Sequence, residues 1–244
     1  IDYILTPTII EAQIRELRLI QSVKPRYNRR SRFPERVAWI KLTEENFPRL
    51  TIGKKISLKT DAPIIGPISG GLAIDAALAA IHEYFPIRQC KSKISDRSMK
   101  SASPCVLFEI ERCQAPCIGN QSHASYQEII TRYQNAIQND FGVFAQNSAA
   151  KMRELSMLER FEEAIEVRDR YVHLLRAASR MERISSLTRL PEIVARRAIG
   201  EDYEYVEIKH GQLTASSKNL NLLSTFNSEK LSCEASYEEV EILL

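Results

Sequence analysis

The reading of this chain turns on Pro7-Thr-Ile-Ile-Glu11-Ala-Gln-Ile-Arg-Glu16-Leu-Arg-Leu-Ile20-Gln-Ser-Val-Lys24-Pro-Arg-Tyr-Asn28. Ile10, Ile14, Leu17 and Ile20 recur at three- and four-residue steps, the spacing of one helix face. Pro7 and the Thr8 hydroxyl suit a helix start, and Pro25 ends the run, so a helix is predicted over Thr8 to Gln21. A carboxylate on that helix, Glu16, followed by a basic turn and Asn28, can hold one hard divalent cation beside a phosphodiester. Magnesium takes oxygen ligands and keeps several waters, so one carboxylate suffices. Such an ion would offset charge on the pentavalent phosphate and stabilise the leaving oxygen. Standing alone, Glu16 reads first as an ordinary surface helix acid.

Around this helix the charge is uneven. The 244 residues carry a net charge of only +3. Yet Lys24, Arg26, Arg29, Arg30, Arg32 and Arg36 crowd together against the single acid Glu35. A cluster of that kind attracts a polyanion by releasing its counterions, and also occurs as a solvated turn. With 44% apolar and 27% charged residues, the composition is that of a globular protein. The longest apolar stretch, Gly71 to Ile81, is interrupted by Asp75 and is too short to span a bilayer. No signal-peptide pattern opens the sequence, so the cytoplasm is the expected compartment. The chain starts at Ile1 on what reads as a strand, and a piece of a longer protein is expected.

Further along, Val37 to Leu42 and Leu50 to Ile52 read as short strands, and Ile64-Ile65-Gly66-Pro67 as a strand closed by a turn. An Ala-rich helix is predicted from Gly71 to Tyr84, then a strand-poor segment from Cys90 to Gly119. Helical spacing resumes at Ser122. Ala149 to Leu158 and Phe161 to Ile184 form two antiparallel helices with a tight turn near Glu159. Pro191 breaks the run, Ile193 to Leu213 reads as a hairpin, and the polar tail from Ser216 to Ser236 is weakly patterned.

Cys90, Cys105, Cys113 and Cys117 are spaced C-x14-C-x7-C-x3-C. Without a secretory signal the thiols are expected to stay reduced, which argues against a disulfide framework. Four thiolates so close together suit a soft metal or an iron–sulfur cluster. Pro104 and Pro116 each precede a Cys and favour loop over helix there. The alternative is a set of small buried hydrophobes; Cys233 stands apart as a spare thiol. On the long helix, Phe161, Ala164, Ile165, Arg168 and Val172 share one face, suiting either a core or a matching hairpin elsewhere. His82, His123, His173 and His210 pair with no recognisable catalytic set and are read as structural.

Several of these blocks together resemble the UvrC-type excinucleases. Glu11 to Ile20 followed by Lys24-Pro-Arg-Tyr-Asn28 is similar to the second half of a GIY-YIG nuclease domain. Trp39-Ile-Lys-Leu-Thr43, Phe47-Pro-Arg-Leu50 and Gly66-Pro67 continue in that family's order. Phe85-Pro-Ile-Arg-x-Cys90, Pro104-Cys105 and Arg112-Cys113-Gln-Ala-Pro-Cys117-Ile-Gly119 resemble its cysteine block, and Phe161-Glu-Glu-Ala164 through Arg168-Asp169 its UVR motif.

The resemblance implies Glu16 as the single carboxylate holding a magnesium or manganese ion, with Asn28 supporting the active site. The basic cluster makes Lys24, Arg26, Arg29, Arg30 and Arg32 the expected DNA contacts, and the resemblance implies a [4Fe-4S] cluster on Cys90, Cys105, Cys113 and Cys117, with zinc as the alternative. It implies a UvrB-like partner at Phe161, Ala164, Arg168 and Asp169. The family's paired-tyrosine strands and their Arg belong ahead of Ile1, so this chain alone is expected to be inactive. The resemblance fades after Pro191, where the hairpin and the phrase Arg26-Tyr-Asn-Arg-Arg-Ser31 lean toward a sister group fused to a DEDD exonuclease.

The expected fold class is α+β, in four parts. Residues 1–60 form the C-terminal part of a GIY-YIG domain, and 61–121 a linker helix with the Cys-rich cluster-binding segment. Residues 122–188 form a helical region with the UVR hairpin, and 189–244 a short β-hairpin with a tail.

Overall fold

The computed structural model describes residues 3–28, 31, 33, 36–58, 62–95, 103–220, 224–225 and 235–244. The α+β expectation holds: α-helices accompany two small sheets whose strands all pair antiparallel. The chain divides into two compact units that do not follow chain order. One gathers Ile1–Arg36, Lys55–Asp61 and Arg180–Leu244, the other Val37–Lys54 and Ala62–Ser179.

In the first unit, helix α1 spans Ile9–Val23. Thr8 caps it, its hydroxyl accepting from the Glu11 N–H at 3.2 Å. It stops at Lys24, which turns left-handed (φ 51°), because the following Pro25 disfavours helical backbone there. Ile14 and Leu17 are buried as the spacing predicts, while Ile10 and Ile20 are half-buried.

Strands β4 (Ile193–Ile199), β5 (Asp202–Lys209), β6 (Gln212–Ser217) and β7 (Ser224–Thr225) form a sheet in that order. The predicted hairpin is thus part of something larger. Its second turn is tight because His210 (φ 49°) and Gly211 (φ 78°) both take left-handed backbone, the geometry that matches strand twist across a two-residue loop. A Cβ on Gly211 would sit 2.8 Å from Thr188 Cγ2 and 3.0 Å from Val240 Cγ2, so only glycine fits. Val240 belongs to the C-terminal helix, Tyr237–Leu243, which Ser236 caps by accepting from the Glu239 N–H at 3.1 Å. That helix packs on α1 and β6.

In the second unit, β1 (Val37–Leu42) lies between β2 (Leu50–Gly53) and β3 (Ile64–Ser69). Strand β3 runs on through Gly66-Pro67 instead of turning there. It is an edge strand, where the missing proline N–H forfeits no ladder bond. Helix α2 (Gly71–Tyr84) packs on β3.

After the cysteine segment come α4 (His123–Gln138), α5 (Gly142–Met157) and α6 (Phe161–Thr188), with short α3 (Val106–Glu109) before them. One core joins Ile40, Ile65, Ile81, Phe85, Ile87, Tyr126, Tyr133, Phe144 and Leu174, all almost fully buried. Each such side chain contributes roughly 1.5–3 kcal/mol relative to exposure, so this core holds the unit together. The Phe85 ring meets Tyr133 edge-on at 5.7 Å and Phe144 at 5.6 Å. The turn between α5 and α6 falls where predicted, with Glu159 left-handed (φ 57°) and the Arg160 N–H closing on Leu155 O at 2.9 Å.

Candidate functional site

Glu16 and Asn28 line one surface hollow of about 590 Å³ in the first unit. Its other walls include Gln13, Leu17, Ile20 and Ser31, and Glu238 and Glu241 from the C-terminal helix. Both predicted residues are exposed. Among the described residues no hydrogen bond or ion pair is made by Glu16.

The acids opposite are already engaged. Gln21 Nε2 donates to Glu238 at 2.7 Å, and the Arg180 guanidinium grips Glu241 through both Nε and Nη2. Arg18 Nη2 binds Glu239 Oε1 at 2.6 Å. Among the described residues no three His, Cys, Asp or Glu stand together as a metal cage. The donor set at Glu16 is one carboxylate beside an amide, which leaves most coordination positions to water.

Of the predicted phosphate contacts, Lys24 and Arg26 are exposed beside the fully open Tyr27. Arg29, Arg30 and Arg32 lie outside the described residues. Lys24 Nζ stands 5.9 Å from the Phe33 ring centre and the Arg36 guanidinium 4.6 Å from it, so cations flank an aromatic face here.

The inward carboxylate of α1 is Glu11, which sequence reading passed over. It is buried, accepts from the Ser216 hydroxyl and pairs with Arg15 Nε at 2.9 Å. Thr8 Oγ1 donates to Ser216 Oγ at 2.9 Å. The Ile9 N–H at the helix start donates to buried Glu204 at 2.8 Å, and Arg197 pairs with the same carboxylate at 2.9 Å. The signal available beforehand was Thr8-x-x-Glu11, the pattern of a capping box. Its remote partner Ser216 carried no signal.

The four cysteines are free thiols on loops and short turns of the second unit. Cys105 is exposed and precedes α3. Cys113 is buried behind a left-handed Glu111 (φ 58°), its N–H donating to Leu107 O at 3.0 Å. Cys117 sits in a single 3-10 turn, Pro116–Ile118, bounded by left-handed Ala115 and Gly119. Burial pushes the Cys113 thiol up, and the charges of Cys90, Cys105 and Cys117 push the same way. Cys117 is raised by burial and then by Cys90 and Cys105. The four thiols thus feel one another's charge, yet among the described residues no three His, Cys, Asp or Glu stand close enough together to hold a metal ion. Cys233 is outside the described residues.

Cys90 follows a buried arginine. Arg88 Nη1 donates to Cys90 Sγ at 3.3 Å, and the guanidinium is otherwise tied to backbone carbonyls and Glu45.

At the α5–α6 turn, Met157 (79% exposed), Leu158 and Phe161 (59%) stand out in solvent, with Ile165 half-exposed beyond them. Ala164 is instead buried against Leu155 and Val167, so the face read from spacing divides into an inner and an outer half. Arg168 and Asp169 are exposed and paired at 2.7 Å. Among the histidines, burial lowers His82 to about 4, against a smaller opposing contribution from the Ile87 backbone. His123 packs edge-on against Phe47 at 5.5 Å.

Comparison with known proteins agrees with the sequence blocks. The family described as "UvrC/Cho excinuclease, middle domain" matches residues 37–136. The UvrABC system protein C of Rickettsia rickettsii is 31% identical over 173 residues, 70% of this chain and 26% of that protein. The Rickettsia prowazekii protein of the same name is 31% identical over 70% of this chain and 27% of its own length. A putative bifunctional exonuclease/endonuclease protein of Mycobacterium tuberculosis is 29% identical over 221 residues, 89% of this chain and 33% of its own. The chain therefore spans between a quarter and a third of these relatives. No solved structure matches it. No helix among the described residues is long and apolar enough to cross a membrane.

Proposed function

We propose, from the premise that this chain belongs to the UvrC-type excinuclease family, that it serves a DNA-repair endonuclease that incises damaged DNA in nucleotide-excision repair. What supports this reading is one placement: Glu16 and Asn28, far apart around the end of α1, line the same hollow. In it Glu16 holds a single magnesium or manganese ion, and Asn28 orients the phosphodiester or its water. The ion would stabilise charge on the phosphate and the leaving oxygen. Lys24 and Arg26, with Arg29, Arg30 and Arg32, take backbone phosphates, which positions the duplex without reading its sequence.

Cys90, Cys105, Cys113 and Cys117 hold a [4Fe-4S] cluster, which when bound would staple the loop-rich segment between α2 and α4. The donor type suits it, four thiols on loops and turns, although among the described residues no three His, Cys, Asp or Glu stand close enough together to hold a metal. Zinc is the alternative occupant, and the two separate by colour, since only the cluster is brown. The exposed Met157, Leu158 and Phe161, with Arg168 and Asp169, dock a UvrB-like partner in the cytoplasm, while Ala164 lets the two helices close on each other.

The test is Glu16→Gln in the complete protein. Incision is expected to fall by about three orders of magnitude, as loss of several kcal/mol of metal-centred stabilisation requires, with DNA binding retained. Unchanged incision would remove Glu16 from the site.

A second reading has its own support. The Mycobacterium tuberculosis relative matches 89% of this chain against 70% for the Rickettsia proteins. On that reading the chain is the UvrC-like half of an exonuclease-linked repair protein, or a non-catalytic DNA- and partner-binding relative of it. The gene sequence ahead of Ile1 separates these: a paired-tyrosine motif favours the endonuclease, its absence a binding role, and an acidic exonuclease fold the linked form.

A further inference from the structure

The four-stranded sheet of the first unit turns one face to α1 and the other away from it. Register settles which residues share the second face, because side chains directly opposite across a ladder point the same way. Val194, Arg196 and Ala198 of β4 stand opposite Glu207, Tyr205 and Tyr203 of β5. The alternate residues Glu204, Val206 and Ile208 are buried, and Glu204 accepts the Ile9 N–H, so that set faces α1. On the outer face Val194, Arg196, Ala198 and Tyr203 are exposed and Tyr205 is half-buried. At β6 the same face closes, with Ala215 and Ser217 buried. The open part is therefore β4 and β5, at one edge of the sheet. There Tyr203 and Tyr205 lie side by side with ring centres 6.4 Å apart, and the Arg196 guanidinium sits 5.0 Å from the Tyr203 ring centre. Tyr203 keeps 43% of its surface in solvent. The acid on this face, Glu207, is held by Lys209 at 3.1 Å and by the Thr214 hydroxyl at 2.8 Å. Among the described residues Arg196 makes no ion pair, so its charge is left for an anion.

We propose that the outer face of β4 and β5 binds single-stranded DNA, with one base stacked on each of Tyr203 and Tyr205 and a backbone phosphate at Arg196. In a duplex, successive bases lie about 3.4 Å apart along each strand and cover one another's faces. Rings 6.4 Å apart can each take a base only after the bases have left that stack, which a single strand allows and a duplex does not. Every base has a π face, so such a platform holds a strand without reading its sequence. The guanidinium of Arg196, already against the Tyr203 ring, extends the platform and supplies the charge that a phosphate needs. A protein partner would want an apolar centre, and beside the two tyrosines only Val194 and Ala198 are apolar here. Neither Glu16 nor a bound metal takes part.

The 244-residue chain is titrated into a short fluorescein-labelled oligothymidine, and into a duplex of the same length, with anisotropy followed at stepped salt. Tyr203→Ala is expected to weaken oligothymidine binding about tenfold, and Tyr203→Phe to hold it within about twofold of wild type. Arg196→Gln is expected to weaken it too, and to flatten the log–log salt slope by about 0.7, as loss of one phosphate contact on a single strand requires. Duplex binding, which the incision reading gives to Lys24 and Arg26, is expected to stay at the wild-type value in all three variants. Should Tyr203→Ala fail to fold, Arg196→Gln decides alone, since that side chain is exposed. Oligothymidine affinity unchanged in the folded variants, or lost in step with duplex affinity, would overturn the assignment. So would self-association in light scattering that Tyr203→Ala abolishes at constant oligothymidine affinity, which would make the face a contact between copies of the chain.

Discussion

Glu16 and Arg88 are both ionic side chains, and the protein treats them in opposite ways. Glu16 stands exposed on the wall of an open hollow with no protein partner among the described residues, while the acids facing it are each held by a cation or an amide. Arg88 is enclosed, with carbonyls, a carboxylate and a sulfur around it. An unsatisfied exposed carboxylate adds little to stability and can bind a ligand at no cost in broken contacts. An enclosed guanidinium can move nowhere and therefore organises whatever surrounds it.

That contrast can be broken by substitutions that should respect it. Ile87→Ala removes a fully buried side chain next to Arg88 and should cost about 3 kcal/mol, with loss of iron uptake, in urea unfolding and metal analysis. Glu16→Gln, in the same unfolding assay, should change stability by under about 0.5 kcal/mol. Comparable losses for the two would erase the distinction. Gly211→Ala should destabilise the first unit by about 2 kcal/mol, because a Cβ meets Thr188 Cγ2 at 2.8 Å on a left-handed backbone. Wild-type-like melting would show that this turn has room to give.

Acid should act on the second unit through His82, whose folded value of about 4 lies below the ordinary 6.5 because burial disfavours the charged ring. Between those values the unfolded chain binds more protons, so stability is present above pH 6.5 and lost as the pH falls toward 4. The partly buried ring limits the loss to about 2 kcal/mol. His82→Phe should flatten that slope in urea titrations at stepped pH, and an unchanged slope would assign it to other groups. The smallest effect on folding is expected from Phe161→Ala, within about 0.5 kcal/mol since the ring is 59% exposed. The same change should weaken capture of a UvrB-like helical partner by about tenfold or more, measured by calorimetry. Undiminished binding would move the docking face elsewhere.

Helices and turns were legible where the deciding residues lie within one turn of each other. Thr8 and Lys24-Pro25 mark the ends of α1, Ser122 caps α4, and Glu159 marks the α5–α6 turn. The C-terminal helix was not predicted, although Ser236-x-x-Glu239 carries the local signal of its start. Strand β6 was read only as far as Leu213 because its second half is Ala-Ser-Ser, buried by packing and not marked by large apolar residues, and β7 beyond it was not read at all. The burial of Glu11 was missed because its partner Ser216 is 205 positions away.

By itself the sequence determined the α+β class, the start of α1 and the α5–α6 turn, the resemblance to the UvrC-type excinucleases and the candidate chemistry, while it placed the start of α5 at Ala149 instead of Gly142. Those depend on residue type and on spacing within a few turns of chain. Only the tertiary structure decided that Glu11 is buried while Glu16 faces the hollow, that Asn28 shares that hollow, and that Arg88 lies inside against Cys90. A charged side chain is buried or exposed according to whether remote groups arrive to satisfy it, and no local pattern records which groups will.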